Sequence, residues 1–354
     1  MTFRKTVAAA GALLALLGGC ASLGDRTADG GNTGPRAQAV LRDAGFTGDI
    51  AIMLPDSPDT IYSGTAGPEE ATTRTVEGWP WASVTKQVIA VLVMREVEDG
   101  RISLGSDMGQ FVPRLRGRDL SVEDLLRHRS DLPNPDNTPL DESGFPSFYS
   151  DDADPLAFCT GQGEAAAEGS WTYNNCDYIV LGAMLEEVND SSIDLLLAQG
   201  IGLQSGWSNT SFLAPGSERA FASRTDSAAQ RIARYGTSAA LVGPLDDMLL
   251  FDRALTDGQL LGPAALARLW QGDPAAGYMA LGQWVFEAPL AGCDAPVRIV
   301  ERRGSIGTYQ TRNVILPDRG IAMALATDQG DFDFGEIWTG AGPLHDVLAA
   351  VACD

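Results

Sequence analysis

The chain has 354 residues, 44% of them hydrophobic and 20% charged. That is enough for one large domain or two interlocked ones, with no long polar tract to indicate disorder. A formal net charge of −22 argues against nucleic acid, whose phosphates demand Lys/Arg clusters, and disfavours docking on an anionic membrane surface.

The first residues, "MTFRKTVAAAGALLALLGGCASLG", put a basic start before an apolar stretch too short to span a bilayer, as in a signal peptide. "LGGC" resembles the bacterial lipobox, so residues 1–19 are expected to be removed. Cys20 then becomes a lipidated N-terminus on a small, polar tether reaching residue 36. The rest of the chain, 37–354, reads as one domain. Residues 48–67 predict two short strands around a Pro/Asp turn, and "SVTKQVIAVLVMREVEDG" predicts a helix from Ser83 to a stop at Gly100. Ser121 and Asp124 form a capping-box pattern that opens a second helix, ending before Pro133. Residues 134–155 are rich in Pro, Asp and Ser and read as a long loop lining a cleft; a further helix follows from about Asp177 to Asn189. After residue 280, "LGQWVF", "VRIVERR", "TRNVILP" and "IAMALATD" are β-rich runs, and "PLHDVLAAVACD" is a last helix. The fold class is therefore α/β (α+β). An antiparallel sheet is built from about 37–105 and 280–354, flanked by helices, with a mainly helical insert over about 106–279.

Five cysteines are an odd number, and lipidation of Cys20 leaves Cys159, Cys176, Cys293 and Cys353. Four cysteines in an exported protein allow three disulfide connectivities, of which the local pairing, Cys159–Cys176 and Cys293–Cys353, is preferred.

The cations carry the functional signal. The chain has 25 Lys and Arg, but only two are Lys: Lys5 in the leader and Lys86. Lys86 follows Ser83 by three residues, one helical turn on and on the same side. A Ser hydroxyl needs a neighbour to take its proton. Burial can make a Lys neutral enough to do so, whereas an Arg cannot usefully deprotonate. Other chemistries lack their residues: there is no G-x-S-x-G, H-E-x-x-H or C-x-x-C, and the only histidines are His128, read as structural, and His345.

"WASVTKQVIAVLVMREVEDGRISLGS", "LSVEDLLRHRSDLP" and "WTYNNCDYIVLGAMLEEV" resemble the serine β-lactamase and penicillin-binding superfamily. The similarity is to its class C-related branch of β-lactamases, D-alanyl peptidases, D-aminopeptidases and esterases. "YGTSAALVGPLDDMLLFDRALTDGQLL" and "GSIGTYQTRNVILP" are similar to later segments, in the family's order. The resemblance implies a β-lactamase/transpeptidase-like fold, Ser83 as acylated nucleophile, Lys86 as base or relay, and Tyr173 as a proton-exchanging phenol of lowered pKa. Asn175 would bind the substrate's amide. In place of the family's Lys-x-Gly or His-x-Gly stands "RRGS". There Arg302 is expected to offer a fork to a substrate carboxylate, Gly304 close approach, and Ser305 a backbone N–H for an oxyanion hole. The expectation is an exported, outer-membrane-anchored serine hydrolase of amides, esters or lactams (D-amino-acid peptides, small esters or β-lactams). It would be monomeric and cofactor-free, with no metal site, and would touch the membrane through its lipid alone. The alternative is an inactive penicillin-binding-like envelope lipoprotein that binds or regulates.

Overall fold

The computed structural model describes residues 30–57, 60–67, 78–150, 154–161, 171–216 and 226–353; the leader and Cys20 lie outside them. Its centre is a six-stranded sheet, antiparallel throughout, with strand order β2-β1-β9-β8-β7-β6. The N-terminal segment supplies β1 (Gly48–Met53) and β2 (Ile61–Ala66). The C-terminal segment supplies β6 (Trp284–Ala288), β7 (Val297–Ile306), β8 (Tyr309–Leu316) and β9 (Ile321–Thr327). A small sheet of β3 (Trp79–Pro80), β4 (Ser211–Phe212) and β5 (Leu241–Gly243), in the order β3-β5-β4, stands beside it. The expected split of the sheet between both ends of the chain is the arrangement found.

Helices cover both faces of the large sheet. One face carries α1 (Gly30–Asp43) and α11 (Pro343–Ala352). The other carries α2 (Thr85–Glu98), α9 (Leu245–Thr256) and, beyond them, α3 (Val122–Leu126), α4 (Pro155–Cys159) and α5 (Asn175–Asn189). Short α6 (Ile193–Leu197) and α7 (Leu203–Ser205), with α8 (Asp226–Arg234) and α10 (Pro263–Leu269), complete the helical part. The strands sort their side chains by period two. Ile321, Met323 and Leu325 of β9 join the α1/α11 core, while Ala322, Ala324 and Ala326 join the core on the α2 side. Small alanines on that second face let helix backbones come close to the sheet.

Two differences from the sequence expectation have physical reasons. Helix α1 begins at Gly30, inside the stretch expected as a tether. Ala37 and Leu41 give it a face fully buried in the α1/α11 core, and such sparse anchors are hard to see in a Gly-rich run. Helix α9 falls within the expected helical insert yet packs on β1 and β9. Both preferred disulfides, Cys159–Cys176 and Cys293–Cys353, are present.

Candidate active site

Ser83 sits in a 3-10 turn, Ala82–Val84, that leads directly into α2. The helix starts two residues later than expected because this turn is held from outside. Trp81 N–H donates to Leu241 O (2.8 Å), and its fully buried indole donates to Gly243 O (3.2 Å). Leu241 N–H in turn donates to Thr85 Oγ1 (3.2 Å). Ala82 takes φ +47°, a conformation that a non-glycine residue keeps only where its surroundings fix it. The central strand of the small sheet, β5, thus sets the nucleophile's corner. Helix α2 is buried on nearly every side, as befits a central rather than surface helix.

Lys86 is 0% exposed, and its Nζ makes three contacts: Asn175 Oδ1 at 2.6 Å, Ser238 O at 2.8 Å and Ser83 Oγ at 3.2 Å. Burial, reinforced by the Arg302 guanidinium, pushes the Lys86 ammonium well below its ordinary value, against the opposing pull of Asp136 and Asp177. A neutral amine here donates its two hydrogens to the closer acceptors and turns its lone pair toward the Ser83 hydroxyl. That is the geometry of a general base.

Tyr173 and Asn175 flank the start of α5, whose N-cap Asn174 accepts a hydrogen bond from Cys176 N. The Tyr173 hydroxyl lies 2.5 Å from Ser83 Oγ, and Arg302 Nη2 donates to it at 3.2 Å. Behind Tyr173, His128 is buried with its Nδ1 2.9 Å from Asp177 Oδ2, and its ring lies 4.7 Å from the phenol ring. His128 therefore acts as a strut, as its sequence context implied. The expectation of a lowered Tyr173 pKa is overturned. Burial raises the phenol, outweighing Arg302 and the Ser83 hydrogen bond, which pull it down.

Strand β7 brings Arg302, Gly304 and Ser305. A Cβ at Gly304 would overlap Trp81 O and lie 3.0 Å from Ala82 Cβ and 3.3 Å from Ser83 N, so only glycine lets the strand approach this corner. Ser305 is exposed and lines the cleft. Arg302 does not. It is 0% exposed, donates from Nε to Ser83 O (2.9 Å) and lies 5.0 Å from the Trp284 ring centroid. The expected carboxylate fork is therefore corrected to an internal cation, with two of its nitrogens committed to the Ser83 carbonyl and the Tyr173 hydroxyl. Arg303, its neighbour, pairs with Glu301 and Glu336.

The site opens into a cleft of about 900 Å³. Sequence reasoning foresaw that the 134–155 loop would line it but did not single out the loop's residues. Asp136 enters the cleft wall while accepting hydrogen bonds from Asn175 Nδ2 (3.0 Å) and Tyr149 Oη (2.8 Å). Tyr149 stacks on Tyr235 with centroids 3.5 Å apart. The Asn134-Pro135-Asp136 turn was the available signal. The Ser238 carbonyl, a backbone atom, left none. Among the described residues no group of three or more His, Cys, Asp or Glu side chains could hold a metal. No helix among them is long and apolar enough to cross a membrane.

The structure is similar to a D-stereospecific amidohydrolase from Streptomyces sp., with TM-score 0.70 and 19% identity, covering 90% of this chain and 98% of that one. A D-amino acid amidase from Ochrobactrum anthropi SV3, solved with L-phenylalanine, gives TM-score 0.70 at 18% identity, over 90% and 98% of the two chains. A penicillin binding protein from Bacillus halodurans gives 0.65 at 16%, over 89% and 98%. At these identities the likeness establishes the fold. The Beta-lactamase family model matches residues 41–341, a span that holds every residue of the Ser83 site, and the chain belongs to that family, within the serine β-lactamase and penicillin-binding superfamily.

Proposed function

We propose that the protein is a serine hydrolase that forms an acyl-Ser83 intermediate from small amides and esters carrying a free amine, with D-amino acid amides as first candidates. The observation that carries this reading is the buried Lys86 Nζ 3.2 Å from Ser83 Oγ, where burial and Arg302 disfavour the ammonium form. Ser83 Oγ attacks the carbonyl carbon and passes its proton to Lys86 Nζ. The backbone N–H groups of Ser83 and Ser305 receive the developing oxyanion. As the carbon–nitrogen bond breaks, Tyr173 relays the proton to the leaving amine. A water then attacks the ester carbonyl, its proton returns to Ser83 Oγ through the same pair, and the acid is released.

Asp136 supports an ammonium-bearing substrate, because its carboxylate is exposed in the cleft beside Asn175. The burial of Arg302 weakens the case for a substrate carboxylate there, and with it the case for penicillins as natural substrates. The named activities of the Streptomyces and Ochrobactrum proteins agree with this choice.

Ammonia release from D-amino acid amides, with intact-mass detection of an acyl adduct after acid quench, tests the proposal against Ser83→Ala. Ser83-dependent turnover is expected. The absence of turnover and of any adduct with amide, ester or penicillin would leave a ligand-binding envelope protein instead. The same reading places the protein outside the cytoplasm, anchored through Cys20, and the two disulfides support an oxidising compartment. Cys20→Ser should then move it from the membrane to the soluble fraction; equal membrane association of both forms would exclude the anchor.

A further inference from the structure

Two segments that line the cleft approach each other at Phe145 and Gly307. On one side residues 139–147 fold into a tight hairpin: Asp141 N–H donates to Phe145 O (2.7 Å), Ser147 N–H to Pro139 O (2.7 Å), and Gly144 turns at φ +80°. Phe145 stands at its tip. On the other side Gly307 turns at φ +58° between β7 and β8. A Cβ at Gly307 would lie 3.0 Å from Phe145 Cζ, so the ring occupies the space that any side chain there would need.

Arg231, on α8, lines the cleft beside the hairpin and holds it. Its Nε and Nη2 both donate to Asp141 Oδ2, at 2.9 and 2.7 Å, and Nη2 reaches Ser143 Oγ at 3.2 Å. Its guanidinium lies 5.2 Å from the Phe145 ring centroid. A partly buried, doubly hydrogen-bonded arginine stacked on the ring makes Phe145 a positioned group rather than a free surface aromatic.

The place of the contact sets its consequence. Gly307 follows Ser305 by two residues, about 7 Å along a strand. Asp136 and Phe145 belong to the same wall, so the amine-bearing end of a substrate is the end that meets the ring. Counted along the strand from Ser305, the ring at Gly307 meets an extended chain within about two residues.

We propose that Phe145, set against Gly307 and clamped by Arg231, is a bar across the acyl arm of the cleft that limits the length of the acyl group and favours a single aminoacyl unit over an extended one. This rests on the reading of Ser83 as the acylated nucleophile. The bar works by exclusion: a chain extended on the amine side runs into the ring unless the ring leaves Gly307.

The test compares kcat/KM for the 4-nitroanilide of one D-amino acid with that of the same compound extended by one glycine at its amine. Phe145→Ala should raise the extended-to-single ratio about tenfold or more, and Phe145→Trp should lower it. Because glycine extension also moves the ammonium away from Asp136, Asp136→Asn is run in parallel; it should not restore absolute turnover of the extended compound, as Phe145→Ala should. An unchanged ratio in a Phe145→Ala protein with wild-type melting temperature overturns the bar. If that variant does not fold, an unchanged ratio in Phe145→Trp does so. Wild-type protein without Ser83-dependent turnover of either compound overturns the hydrolase reading itself, and this proposal with it.

Discussion

Lys86 and Arg302 are two buried cations with opposite duties. Lys86 must be neutral to accept the Ser83 proton, so kcat/KM falls as pH drops through its lowered value. The groups acting on it are Arg302, which lowers that value together with burial, and Asp136 and Asp177, which raise it. Arg302→Gln deletes one lowering influence, so the acid limb of the pH–rate profile should move to higher pH, while Arg302→Lys should stay nearer wild type. If activity drops in Arg302→Gln but the limb stays put, Arg302 is a strut and not an electrostatic partner. A lysine that is neutral when folded and protonated when unfolded also costs stability. The unfolded chain binds the extra proton, so stability rises with pH from the lowered folded value up to the ordinary 10.5. Lys86→Met, close in length and apolar, should therefore melt higher than wild type at pH 7, with the gap closing as pH approaches 10.5, while kcat/KM falls by roughly 10³ or more. A melting temperature below wild type would mean that the three hydrogen bonds of Lys86 outweigh its desolvation.

Among the elements, α2, α9 and β8 meet at a second buried polar node. Asn313 on β8 donates to Asp252 Oδ1 on α9 (2.9 Å) and to Gln87 Oε1 on α2 (3.1 Å), behind the Ser83 corner. Burial lifts the Asp252 carboxyl to about 8, against the Asn313 hydrogen bond. An acid whose folded value is raised stabilises the native state below its unfolded value and loses that contribution as pH climbs through the folded one. Here that window runs from about 4 to about 8. Asp252→Asn keeps the acceptor and removes the proton, so its melting temperature should depend less on pH across that window; parallel curves for variant and wild type would exclude a neutral Asp252. The same elements mark how far the sequence could be read. Ser83 and Lys86 were legible from their spacing, Tyr173 and Asn175 through the family resemblance of their segment, and the Ser121–Asp124 capping box is present in full. Arg302 was placed on the right strand but facing the wrong way, since a charged residue is ordinarily solvated and only tertiary packing buries it. Asp136, the Ser238 carbonyl and the Phe145–Gly307 contact join segments far apart in the chain, and no periodicity reports such meetings.

Across the whole molecule, the two disulfides do different work. Cys293–Cys353 spans 60 residues and ties the approach to β7 to the end of α11, far from the Ser83 corner in the chain's layout of layers. Cys159–Cys176 spans only 17, but it fastens α4 to the first turn of α5, one residue from Asn175. Loop-closure entropy assigns the longer link about 4 kcal/mol and the shorter about 3. Stability and activity should therefore separate. Replacing Cys293 and Cys353 with Ser should lower the urea midpoint further while leaving kcat/KM close to wild type in the protein that remains folded. Replacing Cys159 and Cys176 should lower the midpoint less but reduce kcat/KM, because the Asn175 amide that holds Lys86 Nζ at 2.6 Å loses its anchor. Equal kcat/KM in the two double variants would show that the N-cap of α5 and the Asp136 contact suffice to hold Asn175. A larger midpoint loss from the shorter link would show that packing of α4 on α5, not chain entropy, sets its contribution.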